Sequence, residues 1–253
     1  MGGSTSGLGI PTRNLKVLLD VNNPNCVDAT QSISSATELN NLYGWTDIPF
    51  VPGLVDTSGM SYVLDPNTGN YNYAQVGTGT LDSGWTSANL PMTTNFTFHC
   101  WFKYTPGTGT QRGENIYGGG WKGRTSFYLS PGGTSSSHGI LRYSDAGSGN
   151  SYSRTSSAWG GNDGNWHLFS SVDRGTDGNK HTYFYIDGEL KDSYHRATTH
   201  VVPDGLENMT WGSWSITYGN FGGESNLYMY YDIDQTDAEV RRVFQATRSR
   251  FGV

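Results

Sequence analysis

The chain has 253 residues, of which 15% are charged, 35 are Gly, 16 Tyr and 8 Trp, and its formal net charge is −6. Such a balance suits many tight turns joining aromatic-rich strands and excludes a mainly helical protein. No basic stripe runs between the aromatics and no apolar run approaches the ~20 residues of a membrane helix, so neither nucleic acid nor a membrane is an expected partner.

The opening Met1-Gly2-Gly3-Ser4-Thr5-Ser6-Gly7 lacks the basic and apolar regions of a secretory leader. It reads as a flexible arm, residues 1–13, ahead of a single domain, residues 14–253, because all-β sandwiches of this size are often one domain. Residues 15–20 read as the first strand. Cys26 and Cys100 are too few and too far apart for a zinc site or a disulfide framework, and are expected as buried free thiols. In Phe96-Thr97-Phe98-His99-Cys100-Trp101-Phe102-Lys103-Tyr104 every even position is apolar or aromatic, which predicts a strand with one face inward. Gly118-Gly119-Gly120-Trp121-Lys122-Gly123 has the spacing of a dinucleotide-binding loop. That chemistry needs a helix to follow, and Arg124-Thr125-Ser126-Phe127-Tyr128-Leu129 reads as strand, so the motif is expected to be a turn. The Ser/Gly-rich residues 134–157 read as long loops around one strand at 140–143.

Residues 166–172 and 182–186 read as strands, with turns at Asp163-Gly164-Asn165 and Asp177-Gly178-Asn179. Asp187-Gly188 between Tyr185-Ile186 and Glu189-Leu190 is a two-residue hairpin signal, because Asp and Gly tolerate the positive φ of the tight turn. In residues 227–233 the odd positions Leu227, Met229, Tyr231 and Ile233 form a core face, and Tyr228, Tyr230 and Asp232 are expected to point outward. Thr236 with Glu239 three residues on is a capping box. It opens a helix that carries Val240, Val243, Phe244, Thr247 and Phe251 on one face, with acids at its start and Arg248 and Arg250 near its end, suited to the edge or back of a sandwich.

On Leu18-Leu19-Asp20, the Phe96–Lys103 run, Asn165-Trp166-His167-Leu168-Phe169, Tyr185-Ile186-Asp187-Gly188-Glu189-Leu190 and the closing Leu227-Tyr228-Met229-Tyr230-Tyr231 with Thr236-Asp237-Ala238-Glu239-Val240, the chain resembles the laminin-G-like domains of the concanavalin A-like lectin/glucanase superfamily. The resemblance implies an all-β, two-sheet antiparallel jelly-roll sandwich with one C-terminal helix. The closing segment, ending Arg248-Ser249-Arg250-Phe251-Gly252, is similar to structural proteins of tailed phages, especially cyanophages. That similarity implies a non-catalytic virion protein, decorating the capsid or attached to the tail as a homo-oligomer. It would be assembled in host cytoplasm through contacts with other virion proteins.

Three chemistries compete with pure protein contact. Catalytic relatives in the superfamily carry Glu-x-Asp-x-Glu on one strand, since glycoside cleavage needs two facing carboxyls. Here the nearest echo is Asp232-Ile233-Asp234, which lacks the third acid and reads as a solvated strand end, so no catalytic residue is expected. His167 reads as a satisfied structural histidine, and the others, including His138, His181, His195 and His200, show no metal spacing. No resident cofactor is expected; calcium is a candidate through the oxygens of Asp173, Asp177 and Asn179, although their loop departs from the EF-hand pattern. Sugar sites pair an aromatic platform with Asp or Asn side chains. Trp121, Trp159, Trp214 and Tyr218, in Gly-rich segments near Asp163 and Asn220, are the candidates for binding host glycans in a lectin-like adhesin, the alternative to the virion role.

Overall fold

The computed structural model describes residues 9–20, 60–64, 71–76, 81–82, 95–104, 115–119, 126–131, 139–144, 151–156, 161, 163–176, 179–196, 209–211 and 223–253; within 60–82, 115–156 and 209–211 it describes backbone path and strand pairing. In chain order the strands are β1 (Leu15–Leu19), β2 (Met60–Leu64), β3 (Tyr71–Val76), β4 (Leu81–Asp82), β5 (Phe96–Tyr104), β6 (Asn115–Gly119), β7 (Ser126–Pro131), β8 (Gly139–Ser144), β9 (Ser151–Ser156), β10 (Trp166–Thr176), β11 (Asn179–Ile186), β12 (Glu189–Arg196), β13 (Met209–Trp211) and β14 (Gly223–Tyr231). Helix α1 (Asp237–Thr247) and a 3-10 turn at Arg248–Phe251 close the chain. The strands pair antiparallel in two sheets. One runs β12-β11-β10-β5-β14-β3-β2, with β1 also on β14, and the other runs β4-β13-β6-β7-β8-β9. The fold is an all-β jelly-roll sandwich with one C-terminal helix.

The central strands of the larger sheet are buried on both faces. On the inner face, left to the six-stranded sheet, Phe96 stacks on Tyr230 at 5.9 Å and Phe98 meets Tyr228 at 6.4 Å, with Phe169 on Phe184 beside them. Tyr228 and Tyr230 are thus only 7% and 2% exposed, against the expectation that they face outward. Alternation separates two faces but does not say that one is wet, and Tyr suits either environment. On the outer face Trp101, Leu168, Leu227, Met229 and Tyr231 pack with Ile10, Leu15, Leu18 and Val243. Ile10 belongs to the segment expected as an arm; it is buried, and the Pro11 carbonyl accepts a hydrogen bond from the Tyr231 hydroxyl at 2.8 Å.

One edge of β14 serves two partners. Gly223–Ser225 pair with β3, and Tyr228–Tyr231 pair with β1. Between them the register shifts, Leu227 takes φ 53, and the Asn226 side chain accepts from the Leu227 N–H. The bulge inserts the extra residue where the strand changes neighbours.

One sequence reading changes here. Residues 151–156, read as loop, form β9, which pairs with β8 at the end of the smaller sheet. Its sequence Ser-Tyr-Ser-Arg-Thr-Ser carries no apolar alternation, because an edge strand needs only one backbone partner. The Gly-rich motif begins in β6, and the next element among the described residues is the expected strand, β7, which pairs antiparallel with β6. Cys100 is a buried free thiol whose pKa burial pushes well up; Cys26 lies outside the described residues.

Helix α1 starts as its sequence dictates. The Thr236 hydroxyl accepts from the Glu239 N–H, and the Glu239 carboxylate accepts from the Thr236 N–H at 2.8 Å. Val240, Val243 and Thr247 are buried against the sheet. Trp101 is the anchor: Phe251 stacks on it at 4.2 Å and Phe244 at 5.8 Å, and its indole N–H donates to Thr247 Oγ1 at 2.9 Å. Arg248 and Arg250 lie past the helix in the 3-10 turn, where Arg250 forks onto Asp20 at 2.8 and 2.9 Å and ties the chain end to the end of β1. Ahead of the helix, Thr97 donates to the Ile233 carbonyl and accepts from the Gln235 N–H, while His99 bridges Ser170 Oγ and Gln235 Oε1, both at 2.8 Å. Burial holds His99 down to about 4, outweighing the raising effect of its Gln235 hydrogen bond.

The β11–β12 turn takes positive φ at both residues, 55 at Asp187 and 77 at Gly188, as the Asp-Gly signal requires. A Cβ at Gly188 would lie 3.0 Å from Arg241 Cα and 3.4 Å from Phe244 Cβ, so α1 rests on this glycine. Gly164 has φ 82 with nothing within 4 Å of a Cβ. Gly164→Ala is therefore expected to cost about 1 kcal/mol from backbone strain alone, and Gly188→Ala measurably more because the helix must also move. Urea unfolding of the two variants checks this; equal losses would mean that the hairpin does not support the helix.

Candidate functional site

Two of the crossings from the smaller sheet to the larger one share a rim. Segment 157–165 leaves β9 at Ser156 and enters β10 at Trp166; segment 212–222 leaves β13 at Trp211 and enters β14 at Gly223. In the larger sheet β10 and β14 flank β5, where Lys103 pairs with both Trp166 and Glu224 and Tyr104 with Gly223. Both segments thus enter at the same end of that sheet. In the smaller sheet, Ser156 pairs with Gly139, Gly139 with Pro131, and Trp211 with Tyr117, so both segments also leave from one end. Segment 120–125 emerges at the other end, because Gly119 pairs with Met209, the start of β13.

At that rim stands a polar cluster built on the starts of β10 and β12. Asp163 and Asn165 close an Asx turn, with the Asn165 N–H and side-chain amide each donating to the Asp163 carboxylate at 2.9 Å. His167 Nδ1 lies 2.7 Å from Asp187 Oδ2 and its Nε2 lies 3.0 Å from Asp163 Oδ1, while Asp187 Oδ1 accepts from the Leu168 N–H at 2.9 Å. Phe102 lies beside the imidazole at 6.1 Å. A carboxylate at each nitrogen favours the charged form of the imidazole. Burial pulls its pKa down, but the hydrogen bonds to Asp187 and Asp163 outweigh that and raise it above 6.5. Asp163 responds in the opposite sense: against a raising effect of desolvation, the bonds from His167 and Asn165 bring it to about 2. The cluster fixes an ionised carboxylate, 49% exposed, at the rim. The residue motifs Trp166-His167 and Asp187-Gly188 were visible in the sequence; their contact was not, since the two stand 20 residues apart.

Of the six candidate sugar-binding residues, Asp163 is placed as above, while Trp121, Trp159, Trp214, Tyr218 and Asn220 lie outside the described residues. Of the calcium candidates, Asp173 is buried on the inner face, where the Thr182 hydroxyl donates to it at 2.5 Å. Asn179 lies on the outer face bonded to His195, and Asp177 lies outside the described residues. The structure does not bring Asp173 and Asn179 to one point, because they project from opposite faces of the sheet. Asp232, one half of the carboxylate echo, lies past the end of β14 and pairs with Lys16 at 3.2 Å.

No family model and no curated protein sequence matches the chain. Solved structures do. Domain 4 of the extracellular arabinanase AbnA from Geobacillus stearothermophilus, solved with arabinotriose, matches at 17% identity and TM-score 0.60, over 93% of this chain and 100% of that one. The receptor-binding domain of botulinum neurotoxin C/D mosaic serotype matches at 13% identity and TM-score 0.58, and the serotype D ligand-binding domain solved with N-acetylneuraminic acid at 13% and 0.57. Each covers 92% of this chain, which spans about half of those toxin fragments, 51% and 50%. At these identities the likeness establishes the sandwich fold.

His167 and His99 make opposite contributions to stability with pH. His167 titrates above its unfolded value of 6.5, so its stabilisation is fully present below 6.5 and is lost as pH rises through the folded value. His99 titrates near 4, so the unfolded chain binds its proton first and stability falls as pH drops from 6.5 towards 4. An NMR titration of the ring protons is expected to place His167 above 6.5 and His99 near 4, with Asp163→Asn lowering His167 and leaving His99 unchanged. A His167 value at or below 6.5 would overturn the two-carboxylate arrangement.

Proposed function

We propose that this protein is a non-catalytic, lectin-like module that binds surface polysaccharide at the rim where segments 157–165 and 212–222 enter the larger sheet. One observation supports the reading: the starts of β10 and β14 flank the end of β5 at one end of the sheet, beside the fixed Asp163 carboxylate. In that reading Trp159, Trp214 and Tyr218 provide faces for the C–H side of sugar rings, and Asp163 and Asn220 accept from hydroxyls. A preformed acceptor limits the ordering cost of binding, which supports a sugar rather than a reaction as its purpose. Two structural neighbours were solved with a sugar: domain 4 of the arabinanase with arabinotriose, and the serotype D ligand-binding domain with N-acetylneuraminic acid. These favour the adhesin alternative over the virion structural role, which rests on the resemblance of the closing segment alone.

The test is retention on immobilised polysaccharides and sialylated or arabinose oligosaccharides, followed by titration of the retained sugar. Trp159→Ala and Trp214→Ala are each expected to weaken binding at least about tenfold, as loss of a stacking platform does, while Trp121→Ala leaves it unchanged. Retention of no glycan by the unmodified protein, or loss with Trp121→Ala alone, would overturn the rim site.

A further inference from the structure

The antiparallel register of β11 and β12 sets His181 directly opposite His195. Their spacing of 14 residues is not that of a local metal motif, yet directly opposed side chains on one face of a sheet stand only ~5 Å apart at Cβ. Here the ring centres are 4.5 Å apart and the planes are inclined by 35°. We propose that His181 and His195 form a surface site for a divalent transition-metal ion of the copper, nickel and zinc class.

Three observations carry this. Two imidazoles sharing one ion at ~2.0–2.1 Å metal–nitrogen distances have ring centres roughly 4.5–5 Å apart, so the pair already stands at chelating separation. His195 Nε2 lies 2.9 Å from Asn179 Oδ1. A carbonyl oxygen only accepts, so Nε2 carries the proton and Nδ1 keeps its lone pair for a metal, the outer-shell arrangement that orients ligating histidines. Access is open as well: His195 is exposed and His181 half-buried, and among the described residues no hydrogen bond engages the His181 ring, which stacks on Tyr183 at 5.9 Å.

Arg174 occupies the register position across from His181 on β10. Its guanidinium lies over the Tyr183 ring at 4.7 Å and donates to Asp237 at 3.1 Å and to the Gln235 carbonyl, so it is drawn towards the start of α1 and its charge is balanced there. With two imidazoles from the protein, the remaining coordination positions fall to water or an external ligand. Nitrogen donors select copper, nickel and zinc and not calcium.

Isothermal titration of the full chain with copper(II), nickel(II), zinc and calcium chlorides tests the proposal. One copper or nickel equivalent is expected, weakened at least tenfold by His181→Gln and by His195→Gln and unchanged by His167→Gln, with no calcium heat at this pair. Affinity left at the unmodified protein's value in His181→Gln and His195→Gln, or no binding by the unmodified protein, would overturn it. A second readout needs no variant: the electron paramagnetic resonance spectrum of one bound copper(II) is expected to show two nitrogen ligands, and a spectrum with no nitrogen coupling would sink the assignment.

Discussion

The eight-stranded sheet is apolar on both faces at its centre, so it has to be covered twice, and most of the molecule follows from that constraint. Trp101, Leu168 and Met229 project to one side and Phe98, Phe102 and Phe169 to the other, all essentially without solvent exposure. The second sheet covers one side. The other falls to the last residues of the chain, which is why a single amphipathic helix suffices in an otherwise all-β protein. Burying a side chain such as Trp101 is worth several kcal/mol. It is here sandwiched by Phe244 and Phe251 and bonded to Thr247, so the closing segment is part of the core.

Polar groups then act as fasteners at the edges of this apolar cover. Asp187 holds the β11–β12 turn to β10, Arg250 holds the chain end to Asp20, and Arg174 with Tyr185 holds Asp237 at the first turn of α1. Each pairs a charge with hydrogen-bonding partners at the boundary of the core, where desolvation is partial and the geometry is fixed. His99 is fully buried instead, and it is kept neutral with Ser170 and Gln235 on either ring nitrogen.

This division gives a rigid frame and a set of connections carried by it. The rim that receives segments 157–165 and 212–222 is rigid at its base, because Asp163, His167 and Asp187 are bonded into one unit. Loops placed by a fixed scaffold are where binding residues concentrate. The neighbours share the sandwich, and a fold of this kind hosts many sites, so the glycan reading rests on the rim and its aromatics and not on the fold alone. The edge strand β12 is charged along its length, with Glu189, Lys191, Asp192 and Arg196, which discourages a further strand from pairing there.

What the sequence determined is whatever local patterns encode. Capping residues Thr236 and Glu239, the Asp187-Gly188 turn and the alternation in residues 96–104 each specify an element through nearest-neighbour sterics and hydrogen bonds, so the sandwich class and the terminal helix were legible. The tertiary structure alone decided which side of an alternating strand faces water. Tyr228 and Tyr230 are core residues because a second sheet lies on their side, and Ile10 because a helix and sheet meet over it. Register also belongs to the tertiary structure: His181 opposite His195, His167 between Asp163 and Asp187, and Asp173 and Asn179 on opposite faces all depend on which residues pair across strands. A one-residue slip would reverse every such face, and nothing within a single strand's composition fixes that choice.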